Sequence, residues 1–240
     1  QSAIINWRTF NIGSGETTKI YMPNSNSTQL DRVTGGQGPS QILGTLYSNG
    51  KVFLVNPDGI LFGMGATINV GSLLATTSDI ANKDFMAGNY KFAIPGNPNA
   101  SIVNMGRITA QTGGFAALVA PGVRNTGTIT AKLGTISLAS GNVFTLDMYG
   151  DNLITLGITD SISSQVIDVS TGQPLKFPGS LPLYEEARHQ NGDDEADAGL
   201  LPLMRQGDSP AKQAVPAAQH YPPQPPRFSQ GPAFSRSRSS

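Results

Sequence analysis

The chain contains no cysteine. That absence excludes disulfide staples, thiolate zinc sites and cysteine nucleophiles together. It also suits a chain exported unfolded, because no disulfide can lock it before it crosses. Charge is scarce: charged residues make up 13% of 240, and Lys+Arg and Asp+Glu both number 16. No net charge attracts nucleic acid or an anionic membrane surface, and basic and aromatic residues do not interleave as nucleic-acid binding requires. No apolar run approaches the ~20 residues that cross a bilayer, so the chain is expected not to be membrane-spanning. Trp7 is the only tryptophan, and both histidines, His189 and His220, lie beyond residue 176. No charged-then-apolar leader follows Gln1, so the expectation is a processed chain or a fragment of a longer frame.

What is present falls into two regions. Ten of the 17 prolines lie in residues 176–240. The same stretch holds the acidic run Gly192-Asp193-Asp194-Glu195-Ala196-Asp197, the proline run Tyr221-Pro222-Pro223-Gln224-Pro225-Pro226 and a Ser-Arg end. Too little apolar surface is available there to offset roughly 1–2 kcal/mol of backbone entropy per ordered residue. Residues 176–240 are therefore expected to form a Pro/Ser-rich disordered tail, with a helical turn near 183–188. A ligand for an aromatic groove is the alternative for its prolines.

Residues 1–175 read as one β domain, with glycines punctuating short runs of Val, Ile, Leu, Phe and Thr. Asn104-Met105-Gly106-Arg107-Ile108-Thr109-Ala110 recurs as Asn125-Thr126-Gly127-Thr128-Ile129-Thr130-Ala131, an offset of 125 − 104 = 21. The run 114–120 is echoed by 134–140, an offset of 20. A period of 20–30 residues built from short strands indicates a solenoid. The leucine spacing of leucine-rich repeats is missing, so the expected fold class is all-β, a parallel β-helix. One coil then stacks on the next at about 4.8 Å, placing Ile108 on Ile129, Leu118 on Leu138, and Asn104 on Asn125 as an amide ladder. Gly106, Gly114, Gly127 and Gly134 are expected to supply turns of positive φ. Further strands are expected over 3–10, 18–22, 42–46, 52–55, 60–62, 66–70, 143–148, 153–158 and 165–169. Residues 78–99 break the rhythm and are expected to form an extra-helical hairpin covering a face or an end.

Within this body, residues 48–63 are the most informative stretch. An Asn49-Gly50 turn, an apolar run, an Asn56-Pro57-Asp58-Gly59 turn and a second apolar run ending at Phe62-Gly63 spell strand, corner, strand. Five segments in order carry a resemblance: Ala3-Ile4-Ile5-Asn6-Trp7 with Phe10-Asn11-Ile12-Gly13; Leu30-Asp31-Arg32-Val33-Thr34-Gly35-Gly36; Pro39-Ser40-Gln41-Ile42-Leu43-Gly44; residues 49–59 with Phe62-Gly63; and Ala66-Thr67-Ile68-Asn69-Val70-Gly71. Together they resemble the amino-terminal secretion (TPS) domain of filamentous haemagglutinin-type exoproteins of two-partner secretion systems in Gram-negative bacteria.

That resemblance implies a right-handed parallel β-helix that leaves the cell through the periplasm. It implies a partner, the periplasmic domains of a dedicated outer-membrane β-barrel transporter, and folding at the cell surface or in the medium, where the domain seeds further β-helix. The alternative is an adhesin fragment that binds carbohydrate or a host surface. Two departures stand out. The family's turn is usually Asn-Pro-Asn-Gly, against Asn56-Pro57-Asp58-Gly59 here, and the family has further strands before the segment matching Ala3, so the amino-terminal cap is expected to be truncated.

Two readings attach to the turn Asn56, Pro57, Asp58 and Gly59: a coil corner and a contact with the transporter. A turn on the rim is expected to be exposed and to serve both. Arg32, a lone cation in an apolar context, is expected to form a structural ion pair or carbonyl clamp. Trp7 and Phe10 are expected to be end-capping or core aromatics, and Asn49, Gly50, Phe62 and Gly63 to be structural. β-Helices also host polysaccharide-cleaving enzymes, for which paired carboxylates at coil spacing would be the sign. Asp58 and Asp79, and Asp147 and Asp168, are each 21 apart, but no histidine or Lys/Arg cluster supports either pair. No catalytic residue, metal site or cofactor is expected.

Overall fold

The computed structural model describes residues 1–148, 153–157 and 165–175. The expectations for the tail, residues 176–240, lie outside them. Three parallel sheets form the walls of a β-helix. The first, of six strands, takes one strand from each coil: β1 (Ser2–Trp7), β3 (Thr28–Val33), β6 (Lys51–Val55), β9 (Ser72–Thr76), β13 (Phe115–Ala120) and β16 (Thr135–Ser140). The chain therefore winds through about six coils. The second wall stacks β4 (Ser40–Ile42), β7 (Ile60–Phe62), β11 (Ser101–Asn104) and β14 (Gly122–Asn125). The third stacks β2 (Thr17–Ile20), β5 (Thr45–Ser48), β8 (Thr67–Val70), β12 (Arg107–Ala110) and β15 (Thr128–Ala131).

The register explains which echoes are visible in the sequence. Ile108 pairs with Ile129 and Leu118 with Leu138, as the offsets require. Asn104 Nδ2 donates to Asn125 Oδ1 at 2.7 Å inside the stack, forming the expected amide ladder. The first two coils are longer: Ser2 pairs with Thr28, a step of 26, and Thr28 with Lys51, a step of 23. Leu73 pairs with Ala116, a step of 43, because residues 78–99 leave the stack within a single coil.

That excursion is hairpin-like only at its base, where an antiparallel bridge joins Asp79 and Ile94. Its tip is a short helix, α1 (Asn82–Met86), and its strand β10 (Lys91–Phe92) pairs with β17 (Phe144–Leu146) rather than with the insert itself. Strand β17 in turn pairs antiparallel with β18 (Ile154–Leu156). These elements cover the outer face of the six-stranded sheet. Strands β6 and β13 are therefore buried on both faces and read as continuous apolar runs. Val52, Leu54, Ala116 and Leu118 point into the coil interior, while Phe53, Val55, Phe115 and Val119 join a second core with Phe85, Phe92 and Phe144. Each such large side chain contributes about 1.5–3 kcal/mol by leaving water.

Glycine has a different role at the corners from the one expected. Gly106, Gly114, Gly127 and Gly134 do not have positive φ. They are columns of close approach: a Cβ on Gly127 would overlap Gly106 O, and one on Gly134 would overlap Gly114 O. Stacked corners bring backbone onto backbone and leave no room for a side chain.

The strand expected over 42–46 is two strands, β4 and β5, separated by Leu43-Gly44, and 165–169 supplies only a bridge from Ile167 to Pro174. Among the described residues, no helix is long and apolar enough to cross a membrane.

Candidate functional site

The turn 56–59 joins β6 to β7. Gly59 N donates to Asn56 O at 3.1 Å, and Asp58 N donates to Asn56 Oδ1 at 3.0 Å. A short amide suits the first position because it reaches its own backbone two residues on. Gly59 has φ 111°, which L side chains rarely adopt. The Asn56 amide also reaches the preceding coil, where Nδ2 donates to Gly38 O at 3.1 Å and Ser40 Oγ at 3.0 Å. Its backbone N donates to Thr76 O of the following coil at 3.1 Å. Asp58 Oδ2 accepts from Gly38 N at 3.2 Å, and Pro57 O accepts from Asn97 N at 3.0 Å. Asn56 is 1% exposed, Gly59 is buried, and Pro57 and Asp58 are half-buried. The expectation of an exposed rim turn is thus corrected: the corner ties successive coils together, and only Pro57 and Asp58 offer surface.

Arg32 is 8% exposed and clamps the insert to the first sheet. Its Nε lies 2.7 Å from Asp79 Oδ1, one Nη donates to Asn82 Oδ1 at 2.6 Å, and the other donates to Ile80 O at 2.6 Å. Asp79 Oδ1 also accepts from Ile80 N at 2.7 Å. A planar guanidinium fork suits this convergence of carboxylate, amide and carbonyl oxygens. No sequence signal ties Arg32 to partners 47–50 residues away.

Trp7 lies on β1, which pairs only with β3 among the described residues, and is 37% exposed. Its ring packs edge-on to Phe10 at 5.5 Å, and its Nε1 donates to Asp31 Oδ1 at 2.9 Å. Asp31 pairs with Leu54 in the register and points inward with no exposed surface. Burial pushes its carboxyl above the usual carboxylate range, against the opposing effect of bonds from Trp7 and Gln29. Its Oδ2 has no hydrogen-bond partner among the described residues.

The remaining motif residues hold adjacent coils together. Asn49 makes a paired contact with the Met22 backbone, accepting from N at 2.7 Å and donating to O at 2.8 Å. A Cβ on Gly50 would strike Met22 Sδ and Ser27 O. Phe62 is fully buried in the interior core, and Gly63 N donates to Ile42 O at 2.9 Å.

Three of the four acids at coil spacing are engaged by other groups. Asp58 is engaged by Gly38, Asp79 by Arg32, and Asp168 by Arg124, whose Nη2 lies 2.7 Å from Asp168 Oδ2. The chain departs into the insert after Thr77, so Asp79 crosses the outer face to coil two and never stacks on Asp58. A depression of about 150 Å³ beside Phe115, Met148 and Leu153 is small for a substrate pocket.

Comparison with known proteins agrees with this geometry. The TPS secretion domain family model matches residues 1–175. The chain is 32% identical over 194 residues to a heme/hemopexin-binding protein of Haemophilus influenzae, covering 78% of the chain and 21% of that protein. A second heme/hemopexin-binding protein of Haemophilus influenzae is 43% identical over 90 residues, covering 38% of the chain and 10% of that protein. The chain thus spans about a fifth or less of the length of these relatives. The crystal structure of the HMW1 secretion domain from Haemophilus influenzae superposes with a TM-score of 0.57 at 39% identity, covering 68% of this chain and 43% of that one. These relatives carry names other than filamentous haemagglutinin, so the kinship is established at the level of the secretion domain. With residues 1–175 of 240 matched, the chain belongs to the TPS secretion domain family of two-partner secretion exoproteins.

Proposed function

We propose that this domain addresses its chain to a cognate outer-membrane β-barrel transporter and then nucleates β-helix folding outside the cell. Family membership over 1–175 carries the reading. The architecture supports it, because each coil contacts only its neighbours and a completed coil can template the next. In this reading the chain crosses the periplasm unfolded, meets the transporter's periplasmic domains, and is not an enzyme. Residues 1–175 act as the secretion unit, and residues 176–240 are a tail. Within the turn, Pro57 and Asp58 are the positions with surface to offer a partner, while Asn56 and Gly59 shape the corner.

The direct test is binding of the unfolded chain to the isolated periplasmic domains of the transporter. The expected result is saturable binding that Asp58→Lys weakens. Equal binding by a chain of the same composition in scrambled order would refute the reading. A second reading, binding of a carbohydrate or host surface, draws on one observation: the outer face of the third sheet carries no covering element among the described residues. Heme or hemopexin binding, named for the relatives, is not extended to this chain, which matches only a fifth of their length or less.

A further inference from the structure

Two walls of the β-helix are covered from outside. The insert, β17 and β18 lie over the six-stranded sheet. Residues 165–175 lie against the second wall, where Val169 N donates to Ser101 Oγ at 3.0 Å and Val166 and Leu175 press on Gly122. The third wall keeps exposed or half-buried side chains facing out along all five strands.

Parallel register orders these side chains into two rows. One row has four threonines with Arg107 between Thr67 and Thr128. The other runs Lys19, Tyr47, Asn69, Thr109 and Thr130. Tyr21, 73% exposed, meets Tyr47 with ring centroids 6.1 Å apart and 59° between planes. Neither row contains a carboxylate. Glu16, at the rim, accepts from Gly13 N with Oε2 at 2.7 Å. The Lys19 and Arg107 side chains have no ion pair or hydrogen bond among the described residues. They stand three strand spacings and one two-residue step apart, about 16 Å between Cα atoms.

We propose that this face binds an acidic, uronate-bearing polysaccharide. The inference deepens the surface-binding reading and is independent of the transporter reading. The matching ligand has hydroxyls for the Thr and Asn rows, an apolar ring face for the two tyrosines, and widely spaced carboxylates for Lys19 and Arg107. Arg107 provides the planar fork that a carboxylate meets with two hydrogen bonds. Double-stranded nucleic acid, with one charge per about 1.7 Å, asks for far more cations than two. A second copy would set cation against cation.

The test is affinity electrophoresis of the full chain through gels containing polygalacturonate, neutral dextran or double-stranded DNA. The expected result is retardation by polygalacturonate alone, weakened as sodium chloride is raised. Arg107→Gln and Tyr47→Ala are each expected to weaken retardation about five- to tenfold, and the double variant Lys19→Glu, Arg107→Glu to abolish it, with far-UV circular dichroism unchanged. Equal retardation by dextran or DNA, no retardation by polygalacturonate, or wild-type behaviour of the variants overturns the proposal. Transporter-dependent export of Arg107→Gln at the wild-type level separates this site from the secretion function.

Discussion

Replacing Arg32 with Met keeps an unbranched apolar stem and removes the charge and all the donors. The change strips Asp79, Asn82 and Ile80 O of the bonds at 2.7, 2.6 and 2.6 Å that hold the insert. Breaking a buried pair costs about 3–5 kcal/mol when the orphaned partner stays dry. The Asp79 side chain is 23% exposed and can rehydrate, which places the cost near the lower end, about 3 kcal/mol. Phe85 and Phe92 still anchor the insert in the second core, so the loss is expected as local opening before global unfolding. Lys83 and Lys91 lie on the insert and are exposed, which makes trypsin a local reporter. When reclosing outpaces cleavage, about 3 kcal/mol corresponds to a roughly 100-fold rise in the cleavage rate at these two lysines. If the loss is global instead, Tm falls by about 6–12 °C for a domain of this size. Cleavage within twofold of wild type together with an unchanged Tm would refute the clamp.

Asn56→Ala removes two donors and one acceptor from a buried corner and is expected to cost about 2–3 kcal/mol, read as a lower urea midpoint. Asp58→Asn keeps an oxygen for Gly38 N, so its urea midpoint should match wild type, and any change in export then reports the lost charge at the transporter. Asp31→Asn should stabilise the fold at pH 7 and flatten its pH dependence. Burial raises the folded-state pKa of Asp31, so its penalty is complete above that pKa and is relieved as pH falls towards the ordinary aspartate value of 3.8. Urea midpoints compared between pH 7 and a pH close to 3.8 check this: wild type should gain on acidification relative to the variant. Gly127→Ala should lower stability by roughly 1–3 kcal/mol because its Cβ meets backbone. Gly113→Ala, at φ 76° but in open space, should cost only about 1 kcal/mol, and Tm separates the two.

The sequence exposed the coil in the last turns, where the period runs uninterrupted and like residues stack. It did not do so at the 21-residue step from β6 to β9, and β9 was not foreseen. The 20- and 21-residue echoes lie in the last coils, after the insert, and each predicted stack across them is present. Strand β3 escaped notice because Thr28-Gln29-Leu30-Asp31-Arg32-Val33 carries an inward Asp and an outward Arg, which hide its alternation. The second core left a trace in the unbroken apolar runs of β6 and β13. A run of that kind reports burial on both faces without naming what does the covering. The insert's helix is five residues with no side-chain cap, too short for a periodic signal. In the candidate site, the Asn56–Gly59 turn was legible from its chemistry, but its burial was not. Gly38, Ser40 and Thr76 come to it from neighbouring coils 16–20 residues away, along a direction that sequence spacing alone does not resolve. The pairing of Tyr21 with Tyr47 and the outward placement of Arg107 likewise depend on register.

Export is the measurement that bears most directly on the transporter-addressing role. The chain, sent to the periplasm by an export leader, should reach the medium in cells that carry the cognate barrel transporter and remain in the periplasm in cells that lack it. Equal amounts in the medium with and without the transporter would contradict that role.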